Sequence, residues 1–266
     1  MLGIYPLFSS SSGNMYLIKS SNANILVDIG ITYKKVIDSL KELGLTNSDI
    51  DAICITHEHT DHIKGLPMFI KYNPDINIYC SKGTSIYLNQ LLKDKKIPLS
   101  NNITVTVPEK KYNIKDIEIV CFNTSHDAVD PVGYKLCSSG KHITIATDLG
   151  TVTDNVLEHL KGSDFSIIES NYDKDILLAG KYPFELKRRI QGSFGHLSND
   201  DSGQIIVELA KEGKRNFLLS HLSEHNNMPC IAKENVLSCL SIAGFNTDEF
   251  NINLASKDFS TEAYIL

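Results

Sequence analysis

The sequence has no apolar run approaching the roughly 18 residues that a membrane-spanning helix needs. Its opening stretch, MLGIYPLFSSSSGN, carries no basic n-region and only a short apolar segment. Neither a membrane span nor a secretory signal is expected, and the chain is assigned to the cytoplasm. No CxxC pair occurs among Cys54, Cys80, Cys121, Cys137, Cys230 and Cys239, several of which lie in apolar runs such as AICIT and IEIVCF. A zinc ribbon or disulfide framework is therefore unsupported, and buried reduced thiols are expected. A basic excess is missing too. The formal net charge is −6, so indiscriminate nucleic-acid binding is disfavoured, and a polyanion would have to meet a local basic surface. Internal repeats, low-complexity tracts and long linkers are absent, so the 266 residues read as one domain over 1–266.

What is present is a mixed α/β pattern. Short apolar or alternating runs predict strands over 4–8, 15–19, 24–28, 52–55, 76–80, 103–107, 117–122, 132–137, 142–147, 165–169, 216–220 and 250–255. Helical periodicity predicts helices over 32–43, 64–72, 84–93, 153–160, 200–211 and 232–243, with Gly44 and Gly162 as stops after the first and fourth. The first strands follow one another through short turns and should be antiparallel; later ones alternate with helices. That mixture fits two face-to-face sheets with helices outside better than a purely doubly wound sheet.

The sharpest local signal is Thr56-His57-Glu58-His59-Thr60-Asp61-His62, between the strand-like DAICI and the helix-like IKGLPMFIKY. Residues two apart in an extended segment point the same way, so His57 and His59 can grip one metal. Once the chain turns, Asp61 and His62 can face a second. Four potential ligands in six residues are hard to explain as packing. Further donors follow apolar runs elsewhere: His126 after IEIVCFNT, Asp148 after HITIAT and His221 after NFLLS. The set gives His57, His59 and His126 to one metal and Asp61, His62 and His221 to another, with Asp148 bridging. Imidazole with carboxylate suits two divalent ions, zinc or manganese, and iron as well.

These residues resemble the metallo-β-lactamase superfamily, whose mark is HxHxDH followed by a separate His, Asp and His. Further blocks narrow the likeness. They are Ser9-Ser10-Ser11-Ser12-Gly13-Asn14, Ser125-His126-Asp127-Ala128, Glu169-Ser170-Asn171, GKYPFELKRRI over 180–190, Gly195-His196-Leu197-Ser198-Asn199-Asp200 and His221-Leu222-Ser223-Glu224-His225-Asn226-Asn227. Together they are similar to the YycJ/WalJ/VicX group, related to RNase Z and RNase J. The resemblance implies an α/β (α+β) fold, a four-layer αββα sandwich, and phosphodiester hydrolysis, a nuclease acting on DNA or RNA. The spacing from Asp148 to His196 is too short for a β-CASP insert. By resemblance His196 is the general acid, oriented by Glu169, and Asp61 joins them as a catalytic residue. Expelling an alkoxide calls for a protonated imidazole held by a carboxylate; the plain alternative for His196 is a helix-capping or supporting role, with Ser198 or Asn199 as the cap.

For substrate, Ser10, Ser11, Ser12 and Asn14 are candidates to hold phosphate oxygens, against a plain polar hairpin loop. Lys187, Arg188 and Arg189, the only compact basic triplet, are candidates to anchor a phosphate backbone, against a solvated helix face. Asn226 and Asn227 are candidates to touch substrate or to hold His221. Two other functions keep the same residues: a small-molecule (cyclic) phosphodiesterase or thioester hydrolase, and a metal-containing regulatory protein of a two-component signalling system.

Overall fold

The runs MYLIK and NILV are buried on both faces, as central strands are when layers cover both sides of a sheet. A computed structural model of the chain describes residues 1–98, 102–260 and 262–266. They divide into two units, one of 1–123, 128–141 and 256–266, the other of 124–127 and 142–255.

In the first unit, β1 (Gly3–Phe8), β2 (Met15–Lys19) and β3 (Asn24–Val27) form the expected antiparallel meander. Next to it β4 (Ala52–Cys54), β5 (Asn77–Cys80) and β6 (Ile103–Val105) run parallel to β3 and to one another. The sheet is completed at its other edge by β14 (Tyr264–Ile265), antiparallel to β1. Pro6 is accommodated beside a register shift in β1, where a ladder N–H is dispensable. The crossovers carry α1 (Tyr33–Glu42), α2 (Thr60–Ile63), α3 (Leu66–Tyr72) and α4 (Lys82–Asp94). α1 buries Val36 and Leu40 and stops at Gly44, where φ is 70° and the Leu45 N–H returns to the Leu40 carbonyl at 2.8 Å. The same unit holds the antiparallel β7 (Lys111–Ile114), β8 (Ile117–Asn123) and β9 (Val132–Ser138).

The second unit carries four parallel strands, β10 (Lys141–Ala146), β11 (Phe165–Glu169), β12 (Asn216–Ser220) and β13 (Asn251–Leu254), paired in that order. Its helices are α5 (Asp154–Lys161), α6 (Lys174–Ala179), α7 (Phe184–Ile190), α8 (Asn199–Lys211) and α9 (Pro229–Ile242). Ser198 caps α8 through a reciprocal box with Asp201.

Several features differ from expectation. β7, β14, α2, α6 and α7 are too short or too polar to stand out by periodicity. The helix expected over 64–72 starts at Leu66, because Gly65 packs its backbone against the Ile31 carbonyl, 2.4 Å from where a Cβ would lie. Cys54, Cys80 and Cys121 are buried as expected, but Cys230 is exposed in the first turn of α9. Among the described residues no helix is long and apolar enough to cross a membrane.

Candidate metal centre

The first unit builds one set of donors at the C-terminal ends of β3 and β4. The chain leaves β4 extended through His57, and His59 is the N-cap of the short α2 that carries Asp61 and His62. The rings of His57 and His59 lie 4.7 Å apart, those of His57 and His62 4.1 Å, and Asp61 Oδ2 is 3.3 Å from His62 Nε2. A buried carboxylate missed in the sequence organises this set. Asp28, just past β3, accepts from His62 Nδ1 at 2.8 Å, from the Thr56 hydroxyl at 2.8 Å and from the Thr56 amide at 2.9 Å. Because the Thr56 proton is spent on Asp28, its oxygen accepts from His57 Nδ1 at 3.0 Å. Both rings thereby protonate on Nδ1 and turn Nε2 outward as the basic atom, the arrangement that metal-ligating histidines favour.

Gly30 makes this packing feasible. A Cβ there would stand 1.6 Å from the Asp61 carbonyl oxygen and 2.6 Å from the Asn14 amide. Asn14 is buried at the same point: its amide donates to the Asp61 carbonyl at 2.9 Å and its side-chain Nδ2 lies 3.2 Å from His62 Nε2. Ser10 is buried with its Oγ 2.9 Å from that of Ser12, whereas Ser11 and Ser12 reach the surface. The loop thus serves at its Asn14 end as packing for the turn that carries Asp61 and His62.

The second unit builds the other set at the ends of β10, β11 and β12. Asp148 Oδ1 lies 3.6 Å from both His126 Nε2 and His221 Nε2. Donors at 2.0–2.1 Å from a tetrahedral ion stand about 3.3 Å apart, so Asp148 Oδ1 is spaced from each imidazole much as two donors to one divalent metal are. Each ring is again tethered through Nδ1: His126 to the Gly195 carbonyl at 3.1 Å, His221 to Glu169 Oε1 at 2.8 Å. Burial pushes the His126 imidazole below its ordinary pKa, which favours the neutral ligand form.

Glu169 is fully buried at the end of β11 and its oxygens are saturated. Oε1 accepts from His221 and from His196 Nδ1 at 2.7 Å; Oε2 accepts from the amides of Leu149 at 2.8 Å and Leu197 at 3.2 Å. Burial raises its carboxyl pKa, but His196 and His221 outweigh burial and hold it below the usual range. The donor inventory makes Glu169 an orienting group for two imidazoles, not a further ligand. His196 is four-fifths buried, with Nδ1 committed to Glu169.

Asp28, Asp148 and His221 all adopt left-handed backbone, with φ of 60°, 57° and 55°. Each follows a strand end, and the turn aims its side chain off the sheet edge at a local backbone cost. His221 is held there by Asn171, whose Nδ2 donates to its carbonyl at 2.8 Å.

The asparagine pair expected near His221 acts differently. Asn226 is 2% exposed and its Nδ2 lies 3.3 Å from Ser223 Oγ. Asn227 donates to the carbonyls of Ser170 and Asn171 and exchanges amide hydrogen bonds with Asn199, fixing the segment after Glu169. The basic triplet also divides. Lys187 caps the end of α6 through the carbonyls of Leu178 and Gly180, at 2.6 and 2.7 Å. Arg189 pairs with Asp127, which raises its pKa further. Arg188 stays extended in solvent, with its side chain 74% exposed and Glu185 4.0 Å away.

The chain is similar to known proteins over most of its length. A model of the beta-lactamase superfamily domain matches residues 23–222. The exodeoxyribonuclease YycJ of Bacillus anthracis is 33% identical over 244 residues, 91% of this chain and 90% of that one. The exodeoxyribonuclease WalJ of Streptococcus pneumoniae is 34% identical over 263 residues, 96% of this chain and 94% of that one. Among solved structures, the metallo-β-lactamase fold protein YhfI of Bacillus subtilis matches with a TM-score of 0.72 at 18% identity, over 99% of this chain and 98% of that one. That likeness shows the fold expected from the sequence.

Proposed function

The chain belongs to the metallo-β-lactamase superfamily and to its YycJ/WalJ group, and from that premise we propose that it is a metal-dependent nuclease that removes nucleotides from the end of a DNA strand. The two donor sets are read as serving one pair of divalent ions, zinc or manganese: His57, His59 and His126 for one, Asp61, His62 and His221 for the other, Asp148 for both. Four of the five imidazoles have Nδ1 anchored, which supports this reading through the donor atoms themselves. The superfamily match runs from the first unit into the second, which supports taking 1–266 as one domain.

Two divalent ions held by these residues would supply Lewis acidity toward phosphoryl oxygens and would lower the pKa of a bound water. The remaining work falls to the chain. Asp61, partly exposed, takes the proton of the attacking water. His196 gives its Nε2 proton to the leaving oxygen while Glu169 holds Nδ1 and stabilises the charged ring. Arg188 and the Ser10–Ser12 turn hold phosphates of the strand, with Ser11 at its exposed tip. The six cysteines form no disulfide, which fits action in the reducing cytoplasm.

The observation that carries the reading is the His196–Glu169 pair beside Asp148 and His221, within one cluster of mutually close donor atoms. A thiolate leaves without such an acid; an alkoxide does not. The test is cleavage of end-labelled single- and double-stranded DNA and RNA with manganese or zinc. Stepwise shortening of DNA is expected. Intact DNA and RNA with metal bound would refute it.

A further inference from the structure

Phe194 combines a fixed backbone with a ring left in water. Its neighbours are tied on both sides: the Ser193 carbonyl accepts from Ser125 Oγ at 2.6 Å and from Thr151 Oγ1 at 3.3 Å, and the Gly195 carbonyl holds His126 Nδ1. The Gly195 amide returns to the Gly192 carbonyl at 2.8 Å, and the His196 amide to that of Ile190 at 2.9 Å. The approach to the Asp148 loop is equally tight, since a Cβ on Gly150 would lie 2.4 Å from the Phe194 amide. The ring is nevertheless 61% exposed. A segment that touches two metal-ligand loops thus presents an aromatic face to solvent, where burial would ordinarily be favoured.

The basic end of α7 packs against the same turn. The 192–195 turn packs on the last turn of α7: a Cβ at Gly195 would meet the Arg189 carbonyl at 2.3 Å, and one at Gly192 the Arg188 carbonyl at 3.4 Å. On a chain of net charge −6, an exposed Arg188 on the helix against which the turn of the exposed Phe194 packs is a local match for a polyanion that carries flat π faces. Interleaved aromatic and basic groups are how single strands are gripped without sequence preference.

We propose that Phe194 is a stacking platform for a base of a single-stranded substrate near the scissile bond, with Arg188 on a neighbouring phosphate. This rests on the nuclease reading and adds to it a preference for unpaired ends. The rigid backbone keeps the ordering cost of such a contact low.

The test uses the full chain with manganese and single-stranded oligodeoxynucleotides. Phe194→Ala is expected to raise KM about tenfold, the scale of one lost base–aromatic stack, with kcat within about threefold. Phe194→Trp should restore wild-type KM and Phe194→Leu should not. Ile242→Ala, which removes another exposed apolar side chain, 84% exposed at the end of α9, should change nothing. An abasic position walked along the strand should erase the difference between wild type and Phe194→Ala at one step. An unchanged KM in a stably folded Phe194→Ala protein would overturn the proposal. So would rescue by leucine equal to that by tryptophan, or a difference that survives every abasic position. Wild-type protein that leaves every oligonucleotide intact would sink the nuclease reading instead. Quenching of a 2-aminopurine strand, read without metal, would still decide on stacking: loss in Phe194→Ala supports it, no change contradicts it.

Discussion

Replacing Glu169 with glutamine is the most informative single change, because its consequences follow from the four donors that meet the carboxylate. Two imidazole N–H groups face Oε1 and two backbone amides face Oε2. A glutamine side chain keeps one oxygen and puts an NH₂ group on the other side. In either orientation two buried donors confront a donor. Hydrogen bonds to a charged group contribute about 1.5–3 kcal/mol each, and a buried donor left without an acceptor costs about 1–3 kcal/mol. Losing two of the four, with partial rearrangement, amounts to about 3–5 kcal/mol, the scale of removing one partner from a buried ion pair. For a chain of this size that corresponds to a melting temperature lower by roughly 6–20 °C. His221 would also lose its orienting acceptor, and metal affinity should fall by about 10- to 100-fold. Thermal unfolding of the metal-free protein reads the first effect, and metal titration at fixed protein concentration reads the second. Melting within about 2 °C of wild type, with undiminished metal affinity, would refute the role given to Glu169.

Four further outcomes follow. His196→Ala should retain its metal and lose about 10²- to 10⁴-fold in kcat on DNA; loss of metal, by elemental analysis, would argue against a proton-donating role. Gly30→Ala should unfold at markedly lower temperature and bind metal poorly, since its Cβ would collide with the Asp61 carbonyl at 1.6 Å; wild-type melting would contradict the close approach. Acid should destabilise the metal-free protein through Glu169. Its lowered pKa contributes stability that is complete above the unfolded carboxylate value of about 4.3 and is lost as pH falls through the folded value. The slope of stability against pH in the acid range, from denaturant titrations, should therefore be shallower in Glu169→Gln than in wild type. If Arg188 contacts one phosphate, Arg188→Gln should flatten the dependence of log KM on log salt for single-stranded DNA by about 0.7; an unchanged slope would remove Arg188 from the substrate path.

Much of the site could be read from residue order because its ligands cluster or follow strong strand signals. His57, His59, Asp61 and His62 are six residues long and sit between a buried strand and a helix, so spacing alone groups them. Asp148 and His221 were legible as polar residues closing the apolar runs HITIAT and NFLLS. Glu169 closes FSIIE in the same way, but its link to His196 needed the family resemblance, since 27 residues separate them. Asp28 escaped notice for a physical reason. It ends NILVD as an ordinary strand terminus would, and only the left-handed backbone, φ 60°, turns it back toward Thr56 and His62. Aspartate tolerates that conformation better than most residues, so an acidic residue closing a central strand beside a histidine cluster is the cue that was available. Asn171 holds His221; three nearby asparagines in one polar network cannot be told apart by sequence. Charge patterning gives no partners for the basic triplet: Lys187 turns to helix carbonyls and Arg189 to Asp127, leaving Arg188 in solvent. Of the connecting elements, α6 and α7 have six and seven residues, too few for periodicity to register.

The proposed function gives Asp148 a part in holding each of two divalent ions. Elemental analysis of the purified 266-residue chain, beside Asp148→Ala, tests this most directly. Two equivalents of zinc or manganese per wild-type chain, falling to one or fewer in the variant, is the predicted result. Trace metal in wild type after incubation with either ion, or two full equivalents retained in Asp148→Ala, would contradict it.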